Sequence, residues 1–168
     1  RYFISDPYGR LWISDPGNHR VVTVDLDKTA RTAAGDGIPY RTGEAAPEGT
    51  VRLAEPAGIT FANDLAIFAD TAKDRLYSID DEGDVAVFAG TGRRGSTGDG
   101  GPARDARLSA PTALASDLDG NVYVVEGNGA RIRRIDADGV VTTVIDEQTK
   151  VIDREGERWF RTGDVGFE

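Results

Sequence analysis

The chain has 168 residues and a formal net charge of −9, from 29 acidic against 20 basic side chains. That length suits one domain with room for a core, and the acidic balance argues against a nucleic-acid partner, which needs clustered cations. Cysteine is absent, so disulfides, thiolate nucleophiles and cysteine–metal sites are excluded, and no apolar run is long enough for a membrane-spanning helix.

In chain order, short apolar and aromatic runs alternate with turn residues. Tyr2–Asp6 and Leu11–Asp15 read as strands joined by the tight turn Pro7-Tyr8-Gly9-Arg10. A second turn, Asp15-Pro16-Gly17-Asn18-His19, leads into Arg20–Leu26, and Ala30–Ala34 supplies a weaker fourth strand. The same grammar returns in Gly58–Ala62, Ala66–Asp70, Arg75–Asp80 and Val85–Ala89. It returns again in Thr112–Asp117, Val122–Glu126, Arg131–Asp136 and Val140–Asp146. Asp15, Asp70 and Glu126 end the second strand of each unit, and Arg20, Arg75 and Arg131 open the third. Helical periodicity is nearly absent, with one turn at most in Pro102–Leu108.

Between the units lie two long glycine-rich loops that align without a gap at an offset of 55 residues. Gly35, Gly37, Gly43, Pro47, Leu53 and Pro56 match Gly90, Gly92, Gly98, Pro102, Leu108 and Pro111. A fixed period of this size marks a repeat architecture. Three four-stranded antiparallel units on one period are blades of a β-propeller, since a lone blade cannot cover both its faces. The blades fall at about 1–35, 56–90 and 111–146, with inter-blade loops 36–55, 91–110 and 147–168, in one segment over 1–168. Arg161-Thr162-Gly163-Asp164 echoes the loop a third time, after an insert around Asp146–Trp159. The absence of an initial methionine and the phase of both ends predict three blades of a larger ring. The isolated chain is then expected to find its remaining blades in the same polypeptide or by self-association.

Asp15-Pro16-Gly17-Asn18-His19-Arg20-Val21 resembles the core of NHL repeats. Gly98-Asp99-Gly100-Gly101-Pro102-Ala103, with Leu108, Pro111 and Asp119-Gly120-Asn121-Val122-Tyr123, resembles a bacterial subtype found in extracytoplasmic sensor domains and teneurin-like proteins. The resemblance covers nearly the whole chain and implies an all-β NHL-type propeller of about six blades when complete. It departs from the family where Asp74 and Ala130 stand in place of His19, and where Glu126 replaces the strand-ending aspartate. Such losses suit a structural signature rather than a shared catalytic site.

Other motifs have plainer readings. Gly90-Thr91-Gly92-Arg93-Arg94-Gly95 fits a dinucleotide fingerprint, but no helix can open after it, and no Lys-Ser/Thr follows for a P-loop. Asp117-Leu118-Asp119-Gly120-Asn121 resembles the start of a calcium loop, yet Asn128 stands where the bidentate glutamate belongs. Together with Asp80-Asp81-Glu82-Gly83 and Asp136-Ala137-Asp138-Gly139 it reads as hairpin-turn chemistry. Trp159–Asp164 resembles the ribose-binding motif of adenylate-forming enzymes, with no other motif of that family in the chain. His19 is the only histidine, so no catalytic, cofactor-binding or metal residue is assigned.

The residues kept in both loops set backbone path or fill pockets, whereas Tyr40, Arg41, Arg93 and Arg94 are free to face a ligand. Asp15/Arg20, Asp70/Arg75 and Glu126/Arg131, with Gly98, Asp99, Gly100, Pro102, Leu108 and Pro111, form the repeat signature and are expected to be structural. Arg104 and Arg107 join the arginines of the second loop, facing Asp99 and Asp105. The resemblance implies a non-catalytic binding or sensing scaffold for a protein or small ligand, outside the cytoplasm. The alternatives are a metal-dependent propeller lyase or lactonase whose site lies partly in other blades, and a structural spacer.

Overall fold

The computed structural model describes residues 2–41, 50–127 and 130–146, and the backbone of 150–153 and 156–159. Strands β1 (Phe3–Ser5), β2 (Leu11–Asp15), β3 (Arg20–Val24) and β4 (Ala30–Ala34) form one antiparallel meander. The second sheet comprises β5 (Pro56–Ala62), β6 (Leu65–Asp70), β7 (Arg75–Ile79) and β8 (Val85–Ala89). The third comprises β9 (Ala113–Ser116), β10 (Val122–Glu126), β11 (Arg131–Ile135) and β12 (Val141–Ile145). These are propeller blades, and no α-helix occurs among the described residues. Between the second and third strands of the first two blades lie single 3-10 turns, Pro16–Asn18 and Thr71–Lys73. A third, Ala103–Asp105, lies in the second loop.

The strand period of two explains how the blades stack. In β6, Ala66 and Phe68 pack with Trp12 and Val21 of the first blade. Their neighbours Ile67 and Ala69 point the other way, to Val122 and Val124 of the third. The middle blade is therefore covered on both faces, and its three inner strands are buried almost throughout. Among the described residues the outer blades are less covered: Phe3, next to the inward Ile4, is 74 % exposed, and Val144 is 45 % exposed. Every blade also carries a register shift between its third and fourth strands at the same place, at Val21/Val22, Leu76/Tyr77 and Ile132/Arg133. Such bulges add twist.

The innermost strands touch through backbone. The Gly58 N–H donates to Thr112 O at 2.7 Å, and a Cβ on Gly58 would lie 2.7 Å from both Thr112 O and Leu114 N. Only glycine allows this approach of β5 to β9. Hydroxyls add ties between blades: Thr71 Oγ1 to Pro111 O at 2.7 Å, Ser116 Oγ to Phe61 O at 2.6 Å, and Ser14 Oγ to Ala57 O.

Within the stretch read as an insert around Asp146–Trp159, β13 (Lys150–Asp153) and β14 (Gly156–Trp159) pair as a two-stranded hairpin. The adjacent β-branched Val151 and Ile152, with Gly156 across from Asp153, provide the local signal for it. The loop echo at Arg161–Asp164, most of the ribose-motif resemblance, Asn128, and the Thr42–Pro47 part of the first loop lie outside the described residues.

Candidate functional site

Antiparallel meanders put the inter-blade loops and the β2–β3 and β6–β7 turns at one end of the blades. The hairpins β1–β2, β5–β6 and β7–β8 lie at the other end. The loop end holds the sequence-nominated residues.

The first and second loops converge on one turn of the middle blade, Thr71–Asp74. From the first loop, the half-buried Tyr40 presents its ring 4.3 Å from Lys73 Nζ. From the second, Arg94 Nε donates to Asp74 Oδ1 at 3.1 Å. Arg41 and Arg93 are exposed and stand apart from this contact. Burial holds the Lys73 ammonium below its ordinary value, against the pull of Asp70; Lys73 also donates to Arg52 O. Nothing in the repeat pattern singled out Lys73. Its signal is a long cation where the turn of the first blade has Asn18.

The strand-ending acids work on the backbone. Asp70 accepts the N–H groups of Ala54 at 2.8 Å and Glu55 at 2.9 Å, fixing the loop end that enters its own blade. Burial raises its affinity for a proton although both N–H groups oppose this. Asp70 and Arg75 are directly opposite in register, but Arg75 Nη2 donates to Thr91 O at 2.9 Å, and no ion pair joins the two. Asp15 and Arg20 do approach, at 3.4 Å. Arg131 is opposite Glu126 in register, while the guanidinium nearest the carboxylate is Arg133, at 3.8 Å. The three acid–arginine positions are therefore not one ion pair repeated: each acid stays in place, and its partners differ.

The residues at the His19 position act similarly. His19 and Asp74 take the same left-handed conformation, φ 51° in both. His19 Nδ1 lies 2.8 Å from Ala54 O, and since a carbonyl only accepts, Nδ1 carries the proton. Asp74 Oδ1 instead accepts the Ala110 N–H at 2.8 Å. Both pin the chain just before the next blade begins.

The second loop is clasped along its length. Gly90, Thr91 and Gly95 N–H groups donate to Ala103, Ala106 and Leu108 carbonyls. Its Gly98–Ala103 turn reaches the third blade, with Gly100 N–H to Val141 O at 2.8 Å and Ala103 N–H to Gly139 O at 2.8 Å. Gly98 has φ 107°, and a Cβ there would meet Ala106 Cα at 2.8 Å. Leu108 is fully buried, Pro111 is buried, and Pro102 is exposed but bridges Val140. Asp99 accepts from Arg133 Nη2 at 2.6 Å and from the Thr143 N–H at 2.9 Å. Burial works to raise the Asp99 carboxyl, but these bonds outweigh it and hold it below the ordinary range. Asp99 thus serves Arg133 of the blade rather than the loop arginines; Arg104 and Arg107 are exposed.

A cavity of about 250 Å³ lies between this loop and the third blade, lined by Gly95, Ser96, Ser109, Glu126 and Arg131 among others. Glu126 is 1 % exposed, and neither carboxylate oxygen has a well-formed hydrogen bond. Burial raises it from 4.5 to about 7; Arg133, the Ser109 N–H and Arg131 relieve it only in part. The sign of its effect on stability follows. Between pH 4.5 and 7 the folded chain keeps a proton that the unfolded chain has released, so this group's contribution falls as pH rises through that window. Glu126→Gln is expected to remove that slope and to make the variant more stable than the parent at pH 8 by about 2–3 kcal/mol. Urea unfolding at pH 5 and pH 8 measures it; parallel loss of stability in both proteins would refute the assignment.

At the opposite end, Asp80, Glu82 and Asp84 bring carboxylate oxygens within 4.8 Å of one another, an oxygen-only set suited to a hard cation. Asp80 Oδ1 is already used on the Asp84 N–H at 2.8 Å, closing the β7–β8 turn.

The family model described as the teneurin NHL domain matches residues 2–156. Among curated proteins, chicken (Gallus gallus) teneurin-1 is 38 % identical over 80 residues, which is 44 % of this chain and 3 % of that protein. Mouse (Mus musculus) teneurin-3 is 26 % identical over 138 residues, 70 % of this chain and 5 % of that protein. The chain thus spans a few per cent of the length of these relatives. Among solved structures, virginiamycin B lyase from Staphylococcus aureus superposes with a TM-score of 0.56 at 16 % identity, covering 97 % of this chain and 55 % of that one. That likeness shows a shared fold alone. With the domain model matched from residue 2 to residue 156, the chain belongs to the teneurin NHL-domain family.

Proposed function

We propose that this propeller segment is a non-catalytic binding scaffold, displayed outside the cytoplasm, whose loop end recognises a protein or small ligand. The observation that carries this reading is how the charged groups of that end divide. Asp70, Asp74, His19 and Asp99 are engaged in holding backbone, while Arg41 and Arg93 stand exposed on loops that are anchored at their roots. An anchored loop loses little entropy on binding, which favours recognition. Tyr40 and Arg94 brace the same surface against the Thr71–Asp74 turn. The extracytoplasmic setting follows the resemblance of the Gly98–Ala103 motif to sensor and teneurin-like domains.

Exposed guanidinium groups select for anionic ligands. The test is calorimetric titration with a hexaglutamate peptide at low salt. The reading expects saturable binding that is lost on combined Arg41→Ala, Arg93→Ala and Arg94→Ala substitution. Binding that ignores all three arginines would move the recognition surface elsewhere.

A second reading, a propeller enzyme, is favoured by one observation: Glu126 is a buried carboxyl raised to about 7 and it lines a cavity. Groups of this kind serve as general bases. Lactone hydrolysis that disappears in Glu126→Gln would establish it; turnover at the buffer rate in both proteins leaves the scaffold reading standing.

A further inference from the structure

A larger cleft, about 740 Å³, opens between the first and second blades at the hairpin end, away from the loop arginines. Its floor is aromatic. Trp12 is buried and meets Phe61 edge to face at 5.7 Å, and Tyr8 stands at the margin, 78 % exposed. Asp64, Asp80 and Asp81 line the other side.

The cleft already holds one organic cation. The guanidinium of Arg10 lies 5.7 Å from the centroid of the Trp12 ring. Asp6 fixes it there, accepting from Arg10 Nε at 2.7 Å and from Trp12 Nε1 at 3.1 Å. Arg10 is thereby neutralised, so the remaining charge of the lining is that of Asp64, Asp80 and Asp81, none of which has a cationic partner among the described residues. Asp64 sits in a two-residue hairpin turn between Ala62 and Leu65 with φ 61°, following Asn63 at φ 51°. The second position of such a turn usually goes to glycine. Here an aspartate occupies it, and Asp64 is part of the cleft lining.

Aromatic faces and separated carboxylates together define the ligand class. A small metal ion needs several oxygens converging within its coordination radius. An indole face beside dispersed carboxylates fits a flat or alkylated cation, and Arg10 shows that a guanidinium fits here. We propose that this cleft is a binding site for an arginine side chain of a basic polypeptide partner, which stacks against the Tyr8–Trp12–Phe61 wall and pairs with Asp64 and Asp81. The site is independent of the loop-end reading, since the two lie at opposite ends of the strands.

The test is calorimetric titration of the folded chain with acetyl-tetra-arginine-amide in about 150 mM salt, where long-range attraction to the acidic protein is screened. The parent is expected to bind one peptide saturably. Combined Asp64→Asn and Asp81→Asn is expected to weaken it about tenfold, and Tyr8→Ala about two- to fivefold. Asp119→Asn with Asp138→Asn makes the same change in net charge on the third blade and is expected to change affinity less than about twofold. Arg93→Ala with Arg94→Ala should leave this binding unchanged, which separates it from the loop end. Absence of saturable binding, or equal losses from the two acid pairs, would overturn the proposal.

Discussion

Arg133→Ala is expected to lower the free energy of unfolding by about 3–5 kcal/mol, the range for breaking a buried charge pair. Arg133 has no exposed surface, yet its head group is well supplied with partners. Nε and Nη2 donate to Asp99 Oδ1 at 3.1 and 2.6 Å, Nη1 to Arg107 O at 3.0 Å, and Nη2 to Thr97 O at 3.3 Å. One side chain therefore ties the middle of the third blade to both arms of the second loop. Its removal takes the side-chain donor from the Arg107 carbonyl, leaves Thr97 O with the Arg107 N–H alone, and leaves Glu126 without its nearest cation. Arg133→Lys should recover only part of the loss, because an ammonium lacks the planar fork that reaches three acceptors. Urea unfolding measures both variants; a cost below about 1 kcal/mol for Arg133→Ala would show that the cluster is not holding the loop.

Leu108→Ala is expected to cost about 2–5 kcal/mol. Leu108 is fully buried among Ala103, Ala106, Val122 and Val141, at the meeting of the second loop with the two blades it joins. It also closes over Gly90, whose absent Cβ would lie 3.1 Å from Leu108 Cδ1. The contrasting variant is Arg93→Ala with Arg94→Ala, expected to change stability by no more than about 0.5 kcal/mol. Arg93 is exposed, and the Arg94–Asp74 pair has its arginine 63 % exposed, where ion pairs contribute little. The same unfolding curves compare them. If the arginine pair proves the more destabilising change, the division of the loop into anchoring and presenting residues is wrong.

The architecture was legible because repetition multiplies weak signals. A single five-residue run such as Arg20–Val24 is ambiguous alone, but Arg75–Ile79 and Arg131–Ile135 at the same phase make it a strand. The loops were legible where glycine needs a backbone reason, as at Gly98, and less so where partners differ between copies. Asp15, Asp70 and Glu126 look equivalent in the sequence. The extra methylene of Glu126 and the diversion of the Ala110 N–H to Asp74 give the third acid a different environment. Arg133 stands where the other blades have Val22 and Tyr77, and its link to Asp99 spans 34 residues. No local pattern reveals such a pair; an arginine at a position that is apolar in the other repeats is the one available hint. The cleft at Trp12 and Phe61 belongs to two blades at once, so it exists only after stacking.

Amide hydrogen exchange across the second loop tests the central claim, that this inter-blade loop is a rigid clasp from which exposed side chains are presented. The amides of Thr91, Gly95, Gly100, Ala103 and Arg107 all donate to backbone carbonyls. They are predicted to exchange with protection within about tenfold of the β10 and β11 amides, because opening the loop should require parting the blades. Exchange of these five amides at the rate of an unstructured peptide, while β10 and β11 stay protected, would contradict the account.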